Sequence, residues 1–355
     1  MNILEYLLEK YPDEEWSYDF GLSQNEHFKL SLIDKYPDKP WSWPNILRNG
    51  IVSIKAVIKS ELKSETLFIP KLLKKNNKNL TKDHMDLNVE EHKFWYFFSM
   101  NPNLTLRDIE KYGDNFPNFW YISANKNVRP SYIFKNLHRD WSWIHFSENP
   151  NITLKAIKKL KDKISVNLIS ISKNIKLTID MFEENYHLPW NPWGLSVNLT
   201  ITWEFVVRFP DISWNWCALS RNPNITMDII EANPDRPWNW KSISSNPNIT
   251  IEYVKKYMTN LMKFDWSELS KNEGIKMEDI ESHKKFPWRW QLISMNPNIT
   301  LEFIDKYQFD LDFYVLSFNK FSLYKKGTLD RVDKRKHRNE NNTEDFNTKR
   351  MMYDV

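Results

Sequence analysis

Apolar and polar positions along the chain follow one order that returns about every 24 residues. Each copy contains the segment Asn-Pro-Asn-Ile-Thr or an eroded form of it, and residues 296–300 are an intact example. The residue three positions after the first Asn is apolar in twelve of thirteen copies, and the residue eight positions after it is Ile, Val or Met in eleven. Self-similarity at a fixed period of this length is typical of repeat arrays. We call the first residues of the copies anchors: Asn25, Asn49, Asn77, Asn101, Asn125, Asn149, Ser172, Asn198, Asn222, Asn246, Asn272, Asn296 and Asn319.

The pattern within one copy predicts two short helices joined by turns. The Asn-Pro-Asn segment favours a turn, and the Thr four residues after the anchor, as at Thr226, is suited to cap a first helix. That helix is expected to end before Pro, as at Pro234. A Trp-x-Trp motif then opens a second helix, which carries an apolar residue three positions before the next anchor. Ser stands two positions before the anchor in eleven of thirteen copies, which predicts a small residue bonded to its own helical turn.

Tryptophan supplies much of the apolar surface that such short helices can bury. Aromatic residues make up 15% of the chain, with 17 Trp. Burying one Trp removes about 150–250 Å² of surface from water. We therefore expect the Trp six residues before each anchor, such as Trp240, to be the principal core residue, so that Trp240→Ala loses about 3–5 kcal/mol of stability.

These elements predict an all-α protein, an elongated α-solenoid of about thirteen short two-helix repeats over residues 1–324. Units around 60–90 and 160–185 are degenerate, and the first residues resemble half a unit whose anchor has been lost. A leucine-rich-repeat-like solenoid is the alternative, because its units also span about 20–29 residues. The missing Leu-x-Leu strand pattern favours helices. Residues 325–355 lack apolar periodicity and are predicted to be a charged, disordered tail.

The composite unit, Asn-Pro-Asn-Ile-Thr followed by Pro-Asp-x-Pro-Trp-x-Trp-x-x-Ile-Ser, resembles a known group of repeats. These are the Trp- and Asn-rich repeats found in many proteins of giant DNA viruses that infect amoebae and other protists. The resemblance covers about residues 1–324 and implies a viral protein, but it brings no established activity and no site residues.

Charge and cysteine content restrict the class of protein. The net charge is +4, of which residues 325–355, with nine Lys or Arg and six Asp or Glu, contribute +3, so the repeats are nearly neutral. Broad binding to a phosphate backbone needs a basic face instead. The single Cys217 excludes an internal disulfide and fits a reducing compartment. Because neither a signal peptide nor a long apolar run is found, we expect a location in the host cytoplasm or the virion, without secretion or a membrane.

No group of residues departs from the repeat in a way that indicates chemistry. The eight His lack zinc-binding spacing, and with only 6 Gly the chain has no phosphate-binding loop. We therefore predict no catalytic, cofactor-binding or metal-binding residues and no cofactor. The expected function is a non-catalytic scaffold that binds another protein through the array surface. Single-stranded nucleic-acid binding is the alternative, and an enzyme site assembled across units stays open.

Overall fold

The computed structural model describes residues 2–49, 95–97, 99–113, 116, 119–160, 168–258 and 263–324. These residues form helices and turns, and the only extended pairing among them is an isolated bridge between Phe119 and Trp141. The all-α prediction is therefore confirmed for this part of the chain. The leucine-rich-repeat alternative is wrong there, because it needs a strand in every unit. Asn77, the degenerate segment 60–90 and the predicted tail 325–355 lie outside the described residues.

The helices alternate between the two types that the repeat predicts. First helices, which follow an anchor turn, span Ile3–Lys10, Ser31–Lys35, Leu106–Tyr112, Pro130–Lys135, Leu154–Leu160, Ile179–Glu183, Trp203–Arg208, Met227–Ala232, Ile251–Tyr257, Met277–Ser282 and Leu301–Tyr307. Second helices, which lead into the next anchor, span Tyr18–Leu22, Trp43–Arg48, Trp120–Ala124, Trp143–Phe146, Leu168–Asn174, Pro192–Ser196, Trp216–Arg221, Trp240–Ile243, Trp266–Ser270, Trp290–Ile293 and Phe313–Leu316. The segment Tyr18–Leu22 is a π-helix, and the others are α-helices.

Side-chain caps set where these short helices begin. The Thr226 hydroxyl accepts a hydrogen bond from the Ile229 amide and starts the first helix Met227–Ala232, as predicted. The second helix Trp240–Ile243 starts at Asn239, whose side chain accepts from the Ser242 amide. Helices of this length do not persist alone in water, so contacts with neighbouring units must hold them.

The first Trp of each Trp-x-Trp motif is the better buried one. Trp238 is 9% exposed, and its indole N–H donates to the Asn233 carbonyl at 2.8 Å, whereas Trp240 is only half-buried. The same indole bond, to the carbonyl five residues earlier, recurs at Trp16, Trp41, Trp141, Trp190, Trp214 and Trp288. The prediction that Trp240 is the principal core residue is thus wrong for its unit. The first Trp closes the loop between the two helices, and sequence spacing did not reveal this bond.

The second aromatic residue of a motif instead packs against the first aromatic residue of the next unit. Trp216 meets Trp238 edge to face with ring centroids 5.1 Å apart, and Trp266 meets Trp288 at the same distance. Edge-to-face aromatic pairs add about 0.5–1.5 kcal/mol beyond area burial. The motif therefore connects units as well as filling each one.

The anchor asparagines form the hydrogen bonds that join one unit to the next. The amide nitrogen of Asn246 donates to the Ser220, Asn222 and Ile225 carbonyls of the preceding unit at 3.0, 3.2 and 2.9 Å. Its amide oxygen accepts from the Asn248 backbone at 2.9 Å and so shapes the anchor turn. Most of these asparagines are buried, and a buried carbonyl left without a donor costs about 1–3 kcal/mol. One side chain thus fixes its own turn and holds the neighbouring unit.

The Ser two residues before the anchor makes a second hydrogen bond in addition to the predicted one. The Ser270 hydroxyl donates to the Trp266 carbonyl of its own helix, as expected. It also accepts a bond from the Arg289 amide of the next unit at 2.9 Å. The hydroxyl therefore joins successive second helices as well as completing its own turn.

The first and last units bond to each other through the same contacts. Asn25 donates to the Ser317 and Asn319 carbonyls, both at 2.9 Å, just as Asn49 donates to the Ser23 and Asn25 carbonyls. The Ser17 amide donates to the Ser317 hydroxyl at 3.0 Å, as other units do. Asn319 is therefore the anchor that the N-terminal half unit lacks, and residues from both ends of the chain build one unit.

Three expectations about the array require correction. An elongated array with free ends is wrong, because these contacts join the two ends. Ser172 is not an anchor: its hydroxyl accepts from the Asn191 amide, and Asn174 makes the bonds to Ser147 and Asn149. Asn77 is the next anchor expected after Asn49, but Asn101 bonds directly to the carbonyls of Leu47 and Asn49 and so follows Asn49 in the series of anchor bonds. Eleven anchors donate to the carbonyl of the anchor before them, and Asn198 donates to the Ser172 and Ile175 carbonyls on either side of Asn174. Twelve asparagines thus form a closed circuit: Asn25, Asn49, Asn101, Asn125, Asn149, Asn174, Asn198, Asn222, Asn246, Asn272, Asn296 and Asn319.

We expect Asn246→Ala to lower the free energy of unfolding by about 2–4 kcal/mol, because it leaves buried carbonyls without a donor. Asn248→Ala is the control, since the Asn248 side chain makes a more exposed bond to Pro223. Equilibrium urea unfolding measures both variants. Equal losses in the two would contradict the role assigned to the anchor.

Trp238→Ala is expected to destabilise the protein by about 3–5 kcal/mol, and Trp240→Ala by less, because only Trp238 is both buried and bonded. Trp238→Phe should fall between them, since it keeps a ring and loses the N–H. The same unfolding assay ranks the three, and a larger loss for Trp240→Ala would restore the original expectation.

Gly21→Ala is expected to weaken the closure, because the added Cβ would lie 2.4 Å from the Ser317 Cβ. Overpacking of this kind costs about 1–3 kcal/mol. Hydrogen exchange should accelerate at residues 17–25 and 313–324 and stay unchanged at 215–255. Gly113→Ala is the control, since its Cβ would meet only the flexible end of Arg139. Uniform acceleration along the chain would argue against local opening.

Candidate protein-binding surface

The second helices of neighbouring units pack directly on one another. The helix pairs with extensive backbone contact in the described part are all pairs of second helices, such as Leu168–Asn174 with Pro192–Ser196. First helices of neighbouring units do not approach as closely. In a closed circuit with equal numbers of both types, the more closely spaced set lies at the smaller radius. The second helices therefore lie on the inner side.

One side of each second helix points away from the core. The residue three before the anchor, for example Leu219, is fully buried against the first helices. The residues five and one before the anchor lie about 200° around the helix from it, since each residue turns by about 100°. We call the residues at these two positions the inner face. It comprises Phe20, Gln24, Pro44, Arg48, Tyr96, Met100, Trp120, Ala124, Ile144, Glu148, Ile169, Lys173, Trp193, Val197, Cys217, Arg221, Lys241, Ser245, Ser267, Lys271, Gln291, Met295, Tyr314 and Phe318.

Large apolar side chains occupy a continuous part of the inner face. Going round the circuit from Tyr314 through Phe20 to Cys217, nine successive units have an apolar or aromatic residue or Cys five positions before the anchor. Six of these are large and exposed: Phe20, Trp120, Ile144, Ile169, Trp193 and Tyr314. The remaining three units carry Lys241, Ser267 and Gln291 there. Contiguous exposed apolar surface of this kind is typical of interaction sites.

Charge on the inner face is mostly positive, although the repeats as a whole are nearly neutral. Five cations, Arg48, Lys173, Arg221, Lys241 and Lys271, stand against the single anion Glu148. Lys271 pairs with Glu268 at 2.9 Å, and Arg48 lies over the Phe97 ring at 4.8 Å. The face thus favours an occupant with apolar and acidic groups.

The first-helix side is charged in a different way. Cations there pair with carboxylates of the adjacent unit, as in Lys256 with Glu231 at 2.8 Å and Lys306 with Glu281 at 2.7 Å. Lys10 pairs with Asp305 across the closure at 2.7 Å in the same manner. Exposed pairs of this type contribute little to stability. They offset part of the positive charge on the first-helix side.

Metal ligands and titratable side chains are the groups that a catalytic site would need. No group of three or more His, Cys, Asp or Glu among the described residues has the arrangement to hold a metal ion. Burial, followed by its bond to Asp305, raises the pKa of Tyr11, and burial lowers the pKa of Lys263, whose ammonium lies 3.4 Å from the centre of the Trp240 ring. Neither group has an acid–base partner directed at a shared cavity. None of the described helices has both the length and the apolar run needed to span a bilayer.

A cleft interrupts the inner face at the units anchored by Asn149, Asn174 and Asn198. Its volume is about 550 Å³. The lining residues are Glu148, Pro150, Ser170, Lys173, Asn174, Lys176, Val197, Asn198, Leu199 and Thr200. The cleft coincides with the unit predicted to be degenerate, around residues 160–185.

The sequence predicted a binding surface without naming any of its residues. These residues could have been identified from the position five before the anchor. Several units have Phe, Trp, Tyr or Ile there, although the position lies outside the predicted core. The periodicity marks this position only after Asn174 replaces Ser172 as an anchor. Comparisons of the chain with protein-family models, with curated proteins and with solved structures found no match.

Proposed function

We propose that the protein is a non-catalytic, closed α-solenoid that binds another protein through its inner face. The observation that carries this proposal is the run of nine successive units with an apolar or aromatic residue or Cys five positions before the anchor, six of which are large and exposed. The core position lies on the opposite side of each second helix, so these residues lie outside the buried core, although Trp120 stacks on His145 of the next unit. An apolar stripe outside the core is well explained by a partner that covers it.

The dimensions of a closed array suit an occupant the size of a helix or a small domain. Neighbouring helix axes are about 8–10 Å apart when packed. Twelve units at that spacing, less the thickness of the helices, leave an opening roughly 20–30 Å across. A single α-helix is about 10–12 Å wide. The opening therefore admits one or two helices of a partner.

Single-stranded nucleic acid is the second candidate, favoured by exposed Trp120 and Trp193 on a face with several cations. Bases stack on aromatic rings, and a basic groove follows the phosphates. Ile144, Ile169 and Met295 cannot stack bases in that way. The cations also occur in too few units to follow a backbone regularly. A protein partner is therefore the better supported choice.

The proposal predicts that acidic substitutions on the inner face abolish capture of a partner. Trp120→Asp with Trp193→Asp should reduce it about tenfold or more, because buried aromatic residues carry much of the energy of an interface. A photo-crosslinking amino acid at position 144, on the inner face, should label the partner in cells that express the chain. The same amino acid at position 137, on the outer side, should not.

Leu137→Asp with Phe309→Asp is the matched control, since both residues are large and exposed but follow first helices. Circular dichroism checks that both double variants fold. Equal labelling of the partner from positions 144 and 137 would show that the inner face is not the binding surface. Retention of the protein on a single-stranded oligonucleotide, lost with added salt and with the inner-face variant, would favour the nucleic-acid candidate.

A further inference from the structure

The cleft between the anchor turns of Asn149, Asn174 and Asn198 lies where the repeat changes. Pro follows the anchor in intact copies, as at Pro150 and Pro223, but Ile175 follows Asn174. Ile175 turns into the core, and Asn174 is only half-buried while Asn149 and Asn198 are buried. Asn174 and Lys176 of this altered turn line the cleft.

One side of the cleft is apolar and exposed. Leu199 takes the position of the usual Pro in the next unit and is 70% exposed, which is high for a Leu. Pro150 and Val197 line the cleft beside it. Each Å² of such surface removed from water contributes about 25 cal/mol. Leu199 therefore gains from an occupant that brings a large apolar side chain.

The cleft also contains two ammonium groups that make no ion pair with a described residue. Lys173 and Lys176 line it, with Glu148 as the only acid. On the first helices several cations do pair with a carboxylate of the adjacent unit, as Arg208 with Glu183 at 2.7 Å. Two unpaired lysines beside exposed apolar surface are complementary to a carboxylate next to an apolar side chain. The lining offers no aromatic ring for base stacking, which favours a peptide over a nucleic acid.

The inner face and the cleft form one surface, because Glu148, Lys173 and Val197 belong to both. We propose that the cleft binds a peptide segment of the partner in which a large apolar residue is flanked by Asp or Glu. The apolar side chain packs among Pro150, Val197 and Leu199, and the carboxylate pairs with Lys173 and Lys176. This inference rests on the proposed function, since it assigns the segment of the partner that the inner face selects.

Selection of short random peptides displayed on phage against the immobilised full-length chain tests the inference. The enriched peptides should carry Asp or Glu beside Leu, Phe or Trp. Fluorescence polarisation then gives the Kd of a labelled enriched peptide. Leu199→Asp should weaken binding about tenfold or more, because it removes apolar contact and repels the carboxylate. Lys173→Glu with Lys176→Glu should weaken it similarly, and binding to the unaltered chain should decline as salt rises.

Two matched variants control for folding and general charge. Leu137→Asp introduces the same acid at another exposed Leu, and Lys155→Glu with Lys158→Glu reverses two exposed lysines on a first helix. Both should bind the peptide as the unaltered chain does. An environment-sensitive dye attached to Cys217 by alkylation changes its fluorescence when the inner face is occupied outside the cleft, because Cys217 is exposed on that face.

The outcomes separate the two proposals. Enriched peptides without acidic residues, or peptides that bind the cleft variants unchanged, overturn the cleft assignment. If such peptides still change the dye signal at Cys217 and lose affinity with Trp120→Asp and Trp193→Asp, the inner-face function stands alone. Peptides that ignore all inner-face variants overturn both proposals.

Discussion

Asparagine amides hold this protein together. The single amide group of an anchor side chain makes two kinds of hydrogen bond. Its oxygen accepts from its own turn, and its nitrogen donates to carbonyls of the preceding unit. Helices of four to eight residues supply little stability by themselves. The buried amides turn a series of marginal helices into an array in which each unit completes the hydrogen bonding of its neighbour. Aliphatic residues in these positions would pack, but they would leave the buried carbonyls unpaired.

The same interaction explains why the array closes. Asn319 donates to the Asn296 carbonyl of the unit before it, and its own carbonyl accepts from Asn25. Because the two ends are joined, Asn319 is the anchor of the N-terminal helices, and Asn25 donates to the Ser317 and Asn319 carbonyls. Terminal repeats of open arrays must expose one apolar side to water. Closure removes both exposed sides, with Trp16 and Phe313 meeting edge to face as aromatic residues of successive units do elsewhere.

The proposed function follows from a difference between the exposed surfaces of the first and second helices. Several cations on the first helices pair with acids of adjacent units, whereas the second helices keep an apolar side on which Lys271 is the one of its five cations with a described ion pair, to Glu268. The irregular turn at Asn174 adds a cleft to that side. The cleft thus lies at a departure from the repeat and is lined by both apolar side chains and the two lysines Lys173 and Lys176.

Sequence alone determined the local structure of the unit. Thr caps, Pro terminators and apolar spacing depend on residues within one helical turn, so the two-helix unit and its core positions could be predicted, including Ile230 and Ile249. Only the tertiary structure decided which Trp is buried, that Asn174 takes the place of Ser172 as an anchor, and that Asn101 follows Asn49 directly. These features depend on contacts between residues far apart in the chain. Closure is the extreme case, because the relation between Asn25 and Asn319 leaves no periodic signal: each residue has the same local sequence whether the array is open or closed.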